Sequence, residues 1–239
     1  MGLILLALSV LPVLLLMVFI YRMDKYEKEP IGMLALSFFG GMLAIPLVLA
    51  LVSFINNIYY SESVFYSAFI EAGFPEELCK FIILLLFIWR NKNFNEYMDG
   101  IVYATFVGLG FACIENILYV FEGGLGTGIV RALLSVPGHF LFGVIMGYFF
   151  SLAKFNKKGR FGYLMGGLFS AVLAHGLFDW LLMITDKVSE YWMIPIFILF
   201  IWGDIRLWKI GLKYIRKHQE SSQFKEPDYK QIDWNAADK

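Results

Sequence analysis

The run "FIILLLFIW", Phe81–Trp89, is uninterrupted apolar sequence, and "GFPEELCK", Gly73–Lys80, lies directly before it. A helix of about 20 mostly apolar residues is long enough to cross a bilayer, so a run of this kind decides the fold class. Glu76, Glu77 and Lys80 at its head would then lie at membrane depth. Ionisable groups in such a helix cost free energy and usually mark a functional site.

The rest of the chain has the same apolar character. Of its 239 residues, 59% are hydrophobic and 17% are charged, whereas a soluble domain usually has roughly 45–50% apolar and about 25% charged residues. The apolar blocks cover residues 3–21, 31–55, 66–89, 100–121, 129–153, 162–184 and 192–212. Only helices and closed barrels satisfy their backbone hydrogen bonds in lipid. We therefore predict an all-α, polytopic transmembrane bundle of about seven spanning helices, formed by one domain over residues 1–215.

The two ends of the chain allow further predictions about the membrane bundle. The first block lacks a basic n-region and a clear A-x-A site, so we predict a retained helix rather than a cleaved signal peptide. Residues 216–239 are polar and mixed in charge, which predicts a short, disordered cytoplasmic tail. The formal net charge is zero, which argues against a nucleic-acid partner.

The basic residues of the loops predict the orientation, because Lys and Arg in short loops mark the cytoplasmic side. They concentrate in the connections at residues 22–28, 90–92 and 154–160 and in the tail, whereas the connections at 56–67 and 122–128 have none. This asymmetry predicts a multi-pass protein of the cell membrane, with the N-terminus outside and the C-terminus in the cytoplasm.

Ionisable residues inside the predicted spans are expected to face the interior of the bundle. They are Glu71, Glu76, Glu77, Lys80, Glu115, His139, His175, Asp179 and Asp204, with Arg131 and Arg206 near helix ends. Glu76 and Lys80 have the favourable i,i+4 order for an ion pair, and Asp179 has the same spacing from His175, whose tautomer it can fix. We interpret Glu71 and Arg131 as interfacial, and Asp204 with Arg206 as a structural or snorkelling pair near the cytoplasmic end.

Four of these residues are predicted to share one depth. Glu76, Glu115, His139 and His175 lie on four different predicted helices, some six to ten residues below the outer end of each. That distance is roughly 9–15 Å at 1.5 Å of rise per residue. Polar groups from four helices at one level indicate a common site between the midplane and the outer face.

Carboxylates and imidazoles at this depth suit proton or ion transport, metal-dependent hydrolysis, or metal-free acid–base hydrolysis. The sequence has no H-E-x-x-H zinc signature and no obvious serine or cysteine nucleophile with a His–Asp partner. Hydrolysis would then use a glutamate as general base on a water, with imidazole or amide groups at the oxyanion. A proton-coupled transporter is the non-enzyme alternative, although no inverted repeat is evident.

Four short motifs in order carry a resemblance to a known family. They are "EELCK" (76–80), "FACIEN" (111–116), "HFLFG" (139–143) and "HGLFD" (175–179). With one motif per helix, the chain resembles the PrsW family of intramembrane proteases, within the clan of CAAX-type prenyl endopeptidases. The resemblance implies a glutamate-dependent membrane endopeptidase. It further implies first-site cleavage of a membrane-spanning anti-sigma factor on its extracytoplasmic side.

The resemblance also implies roles for single residues. Glu76 is the general base, and Glu77 is its partner or a second essential carboxylate. His139 and His175 hold the water and the oxyanion. The supporting residues are Lys80, Glu115, Asn116 and Asp179, of which Asn116 assists at the oxyanion and Glu115 orients a histidine.

The motifs depart from the wider clan in two places. In the clan's first motif, Arg commonly follows the glutamate pair after three residues, whereas here Lys80 follows it after two. The clan's second motif commonly ends in His, whereas here it ends in Glu115 and Asn116. These departures leave a zinc-dependent version open, in which Glu76, His139 and His175 form a His₂Glu set. We predict a site without a metal or other cofactor, with zinc as the alternative. The expected partners are the lipid bilayer and a single-span membrane substrate.

Overall fold

The structure, a computed structural model, describes residues 1–224, and every regular element in that range is helical. Helix α1 covers Gly2–Met23 and α2 covers Ile31–Ile58. A continuous helical segment follows, made of α3 (Val64–Tyr66), π-helical Ser67–Gly73, α4 (Phe74–Ile83) and π-helical Leu84–Ile88. The remaining helices are α5 (Tyr97–Leu133), α6 (Ser135–Phe155), α7 (Arg160–Met183) and α8 (Glu190–Glu220), with a 3-10 turn at Ile184–Lys187. The all-α prediction is confirmed.

The helices have the length and surface of membrane-spanning segments. Four stretches are long and apolar enough to cross a bilayer, namely Gly2–Met23, Ile31–Ile58, Tyr97–Phe155 and Arg160–Lys187. Large apolar side chains point outward, including Leu3 at 81% exposure, Phe39 at 63% and Ile194 at 70%. Exposed apolar faces of this extent indicate contact with lipid or with another protein. Each predicted block corresponds to a helical segment, whereas seven crossings and the orientation of the termini stay predictions.

The connection predicted at residues 122–128 is much shorter than a seven-residue loop. Helical backbone continues on both sides of Gly124, which alone departs from it with φ 75° and ψ −159°. A positive φ is open to glycine and strained for other residues. Val120 lies against Gly128, where an added Cβ would be 3.2 Å from its Cγ1. The chain therefore folds back at Gly124, and a second break at Leu134 makes α6 begin later than predicted.

The predicted domain boundary at residue 215 falls inside a helix. Helix α8 continues to Glu220, and the hydroxyl of Ser222 donates a hydrogen bond to Glu96. The prediction of disorder is therefore wrong for residues 216–224, because their side chains contact the helical bundle. The rest of the predicted tail, 225–239, lies outside the described residues.

Helix α5 lies at the centre of the bundle, packed against α1, α2 and α6, while α6 packs in turn against α7. Gly143 and Gly147 on α6 permit the close approach to α5. A Cβ at Gly143 would lie 2.9 Å from the carbonyl oxygen of Ala104, and one at Gly147 would overlap the carbonyl oxygen of Gly100. Small residues four positions apart let helix backbones approach in this way in membranes. The contact holds His139, one turn before Gly143, close to α5.

A change of helical pitch positions the acidic pair at residues 76–77. Pro75 has no N–H group and cannot donate to a regular α-helical ladder, and the segment directly before α4, Ser67–Gly73, is π-helical. Such wider turns are frequent at functional sites. Gly73 also lies against the α7 backbone, since a Cβ there would be 3.1 Å from the Gly176 nitrogen. The acidic pair consequently begins α4 next to the histidine of α7.

Candidate active site

The structure brings the four predicted catalytic residues together. Glu76 and Glu77 lie on α4, His139 on α6 and His175 on α7, and all four are buried. Each offers one nitrogen or oxygen atom, and these atoms all lie within 4.8 Å of one another. We call these four residues the central cluster. Their common location agrees with the predicted common depth, while their catalytic roles stay predictions.

Lys80 neutralises the acidic pair from the next turn of α4. Its Nζ lies 2.8 Å from Glu77 Oε1, 3.3 Å from Glu76 Oε2 and 3.1 Å from His139 Nδ1. The ammonium also lies over the Phe111 ring, 4.0 Å from its centroid, which adds a cation–π interaction. Buried charges need partners of opposite sign and further hydrogen bonds. Lys80 has both, so it holds the two carboxylates in one arrangement.

Both ring nitrogens of His175 face carboxylates. Its Nδ1 lies 2.9 Å from Glu77 Oε1, and its Nε2 lies 3.2 Å from Asp179 Oδ2 and 3.9 Å from Glu76 Oε2. Phe142 stacks on the ring with a centroid distance of 4.7 Å. The contact between His175 and Asp179 predicted from the i,i+4 spacing is confirmed. These contacts fix the plane of the imidazole inside the cluster.

Glu115 links His139 to Arg131, a cation predicted to lie at the membrane interface. Its Oε2 lies 2.9 Å from His139 Nε2 and 2.6 Å from Arg131 Nη2. Arg131 is therefore a partner of the Glu115 carboxylate, while its place at the membrane interface stays a prediction. On a straight helix, residues 115 and 131 would be roughly 24 Å apart at 1.5 Å per residue, and only the reversal at Gly124 brings them into contact. The position of Glu115 inside an apolar block was the signal in the sequence that a cation had to lie nearby.

Asn116 does not contact the central cluster. Its side-chain amide donates to the backbone oxygen of Ser9 at 2.9 Å, and its Oδ1 accepts from Arg131 Nε at 3.0 Å. Both of its polar groups are thus engaged away from His139 and His175, because it joins α5 to α1. The expectation of an oxyanion donor finds no support in this geometry, and Asn116 instead positions Arg131.

Other ionisable residues of the predicted spans lie outside the cluster. Glu71 accepts hydrogen bonds from Asn56 at 2.7 Å and from Ser67 at 2.8 Å. In the described part of the chain, Asp204 has a buried oxygen without a partner. Arg206 lies over the Trp202 ring, 5.1 Å from its centroid. The predicted structural pair of Asp204 and Arg206 is thus not formed.

A small cavity of about 30 Å³ borders the central cluster. Its lining residues are Glu115, Arg131, Ser135, His139, Phe142, His175, Phe178 and Asp179. A buried water needs roughly 10–15 Å³ and two to four polar partners. The cavity satisfies both conditions, so a water molecule fits beside both histidines.

The comparison with known families agrees with this geometry. Residues 29–202 match the family model described as "PrsW family intramembrane metalloprotease". The chain belongs to the PrsW family. No solved structure matches the chain.

Relatives named "Protease PrsW" match nearly the whole chain. The protein of Clostridioides difficile is 38% identical over 228 residues, which are 90% of this chain and 92% of the relative. The protein of Geobacillus kaustophilus is 38% identical over 199 residues, which are 81% of this chain and 85% of the relative. The protein of Bacillus subtilis is 38% identical over 200 residues, which are 81% of this chain and 88% of the relative. The resemblance inferred from four motifs is therefore confirmed, and the chain is a member of a family of membrane proteases.

The PrsW family description names a metalloprotease, and the central cluster fits a metal ion in its chemistry. Two imidazoles and two carboxylates make a donor set that suits zinc. Glu77 joins the predicted His₂Glu set of Glu76, His139 and His175. The Lys80 ammonium lies within 3.3 Å of three of these four residues. A metal ion and this ammonium would therefore compete for the same atoms.

Proposed function

We propose that the protein is a multi-pass endopeptidase of the cell membrane that hydrolyses a peptide bond of a single-span membrane protein. The observation that carries the proposal is the convergence of a buried glutamate pair with two buried histidines, and both histidines line a cavity of water size. Membership of a protease family favours hydrolysis over the transporter alternative, which would use the same residues.

The contacts of the two glutamates support Glu76 as the general base. Glu77 is 1% exposed, and its Oε1 already lies within 2.9 Å of both Lys80 and His175. Glu76 is 8% exposed and has longer contacts, at 3.3 Å and 3.9 Å. The less engaged carboxylate can turn toward a water and accept its proton. Glu77 then positions the lysine and the histidine.

The two histidines suit the developing negative charge of the tetrahedral intermediate. Both nitrogens of each ring have partners in the structure, so each histidine would exchange one of these partners for the oxyanion when substrate enters the water-poor site. Glu115 holds His139 at one nitrogen, and Asp179 holds His175. The proton that Glu76 takes from water passes to the leaving amine, which completes hydrolysis to a carboxylate and an amine.

The converging donor atoms also favour a metal-dependent version of the same function. In that version Glu76, Glu77, His139 and His175 would hold zinc, which activates water and polarises carbonyl groups. Glu115 and Asp179 would still orient the two histidines through the contacts described above.

An apolar cavity supports a substrate that arrives through the membrane. It measures about 330 Å³, lies between α7 and α8, and is lined by residues that include Leu177, Phe200 and Trp202. Phe178 borders both this cavity and the small one at the central cluster. We propose that a transmembrane segment enters on this side. From the family resemblance, the proposed substrate is an anti-sigma factor cut first on its extracytoplasmic side.

Purified protein in detergent, incubated with a single-span substrate with and without a strong chelator, tests this function. We expect cleavage of the substrate, no stoichiometric metal and full activity in chelator. About one bound zinc per chain, with activity lost in chelator and restored by added zinc, would select the metal-dependent version. Absence of cleavage of every single-span substrate tried, combined with proton flux in vesicles, would favour the transporter.

A further inference from the structure

The outward face of α8 changes from apolar to basic along its length. Two sets of exposed side chains make up this face: Ile194, Ile198 and Ile205 in the first half, and Lys209, Lys213 and Arg216 in the second. Successive members are three, four or seven positions apart, so at 3.6 residues per turn all six lie within about a third of the helix circumference. We call these six residues the α8 stripe.

The opposite face of α8 packs against the bundle and fixes the rotation of the helix. Phe200, Ile215 and His218 are buried on this face. The Nε2 of His218 donates a hydrogen bond to the backbone oxygen of Tyr148 on α6 at 3.0 Å, and its ring stacks on that of Tyr148 with a centroid distance of 4.3 Å. The α8 stripe is therefore held facing away from the bundle.

A surface groove of about 510 Å³ runs over the basic half of the α8 stripe. Its lining residues are Lys209, Leu212, Lys213, Arg216, Lys217 and Glu220. Four of these side chains are cationic and one is acidic, so the groove has a net positive charge of three. Among residues 1–224, none of the four cations takes part in a salt bridge. The charge and shape of the groove therefore fit an anion.

The order of apolar and basic residues along the α8 stripe matches the two parts of a phospholipid. Ile198 lies roughly 16 Å from Lys209 along the helix at 1.5 Å per residue, and one leaflet of a hydrocarbon core of about 30 Å has nearly the same depth. Lys and Arg bind phosphate through charge-assisted hydrogen bonds. A soluble anion would contact only the basic half and would leave the isoleucines uncovered, whereas acyl chains cover them.

We propose that the α8 stripe binds one anionic phospholipid, with the phosphate in the groove between Lys209 and Arg216 and the acyl chains along Ile198 and Ile205. Basic residues clustered next to a membrane helix attract anionic headgroups, and the net charge of the groove favours these over zwitterionic ones. None of the stripe residues belongs to the central cluster, so the site does not depend on the proposed proteolysis.

The test is native mass spectrometry of the full chain in a nonionic detergent, titrated separately with phosphatidylglycerol and with phosphatidylcholine of the same acyl chains. We expect one phosphatidylglycerol to stay bound at lipid concentrations where phosphatidylcholine does not. Each Lys or Arg near an anionic lipid contributes roughly fivefold to affinity. Lys213→Gln combined with Arg216→Gln should therefore raise the half-saturating concentration of phosphatidylglycerol at least tenfold.

The matched control is Lys157→Gln combined with Lys158→Gln, which removes the same total charge from two exposed lysines of the α6–α7 connection. This control should leave the half-saturating concentration unchanged. Glycerol phosphate, the soluble counterpart of the headgroup, should not bind at the same concentrations, because it has no acyl chains to cover the isoleucines. Circular dichroism of each variant verifies that the helical fold is retained.

Several outcomes would overturn the proposal. Equal binding of the two lipids would show that the groove does not recognise charge, and equal losses in the two double variants would assign binding to the total charge of the surface. Glycerol phosphate that binds as tightly as the lipid would indicate a site for soluble anions. Unchanged affinity after the changes at Lys213 and Arg216 would place the lipid elsewhere. Lys209→Gln combined with Lys213→Gln decides the result if the first double variant does not fold.

Discussion

Helix α5 joins two groups of buried acids that are neutralised in different ways. At its middle, Glu115 belongs to a network in which Lys80 and Arg131 supply positive charge. At its beginning, Asp99 belongs to a group that makes no salt bridge in the described part of the chain and that we call the acidic end cluster: Asp24, Glu27, Glu29, Glu96 and Asp99. Asp99 and Glu115 are separated by roughly 24 Å along the helix at 1.5 Å per residue. The bundle therefore contains one acid cluster that is paired with cations and, among the described residues, a second that makes no salt bridge.

The difference shows what each arrangement can do. Carboxylates paired with cations of the chain itself are held in fixed positions, as a catalytic site requires of its reacting groups. Buried carboxylates without such partners are favoured in their protonated, neutral form. Burial is common to both groups, so burial of acids alone does not identify a catalytic site. The cations and histidines around the acids identify such a site.

The largest expected effect follows from changing Glu76. Glu76→Gln preserves the shape of the side chain but removes the general base, which typically contributes about 10²–10⁴-fold. We expect proteolysis to fall by that factor while substrate still binds. Cleavage rate and substrate crosslinking, measured on the same preparation, check both parts.

The matched control for this change is Glu122→Gln, at an exposed acid beside the Gly124 reversal. It should leave cleavage unchanged. A Glu76→Gln enzyme with near wild-type cleavage would remove the proposed distinction between the two glutamates and assign the base to Glu77.

Lys80 tests whether charge pairing is what distinguishes the central cluster. Lys80→Ala leaves two buried carboxylates without their ammonium, and loss of one partner of a buried pair costs about 3–5 kcal/mol of stability. Activity should fall as well, because Glu76 and Glu77 lose a common contact. Chemical unfolding and cleavage rates measure the two effects.

Lys80→Arg keeps the positive charge and should retain more activity and stability than Lys80→Ala. Equal losses in the two variants would contradict the role of charge and indicate that the shape of the lysine matters instead. Neither change touches the acidic end cluster, so the contribution of that cluster to stability should be the same in both variants.

The sequence was sufficient for the parts of the site that depend on helical spacing. The i,i+4 relations of Glu76 with Lys80 and of His175 with Asp179 are local, and the structure has both contacts. It was not sufficient where the chain reverses. Arg131 reaches Glu115 only because Gly124 folds the helix back, and one positive φ is not visible in a pattern of hydrophobicity.

The acidic end cluster was missed for a related reason. Asp24, Glu29 and Glu96 lie in connections between apolar blocks, where charged residues are normally solvated. Their burial depends on the packing of the α1–α2 connection against the start of α5. Ser222, near the end of the described chain, adds a contact to Glu96 that lies 126 positions away in sequence. Contacts at such separations have no local signal.

A smaller effect on stability is expected from pH, through the acidic end cluster. The pKa values of Asp24 and Glu96 rise from 3.8 and 4.5 to about 7 in the folded protein. Between roughly pH 4 and 7 the folded state therefore binds more protons than the unfolded state, and stability falls as pH increases. In chelator, the unfolding midpoint should be roughly 5 °C lower at pH 7.5 than at pH 5.5.

Asp24→Asn should reduce this slope, because the variant has one fewer buried group to ionise. A slope that is identical in Asp24→Asn and wild type would assign the pH dependence to other groups and leave the acidic end cluster without a measurable role.

The last prediction concerns the side of the membrane on which each cluster lies, and it should change neither activity nor stability. Gly126 is exposed near the Gly124 reversal, with open space where a side chain would extend, and Lys158 is exposed in the basic α6–α7 connection. The native thiols of Cys79 and Cys113 are buried, so they should not react with a membrane-impermeant reagent. From the distribution of basic residues, a thiol at Gly126→Cys should react in intact cells, and one at Lys158→Cys only after permeabilisation. This result would place the central cluster toward the outer face, as first-site cleavage outside the cytoplasm requires, and the acidic end cluster toward the cytoplasm. The reverse labelling would contradict the proposed side of cleavage but would leave the contrast between the two clusters intact.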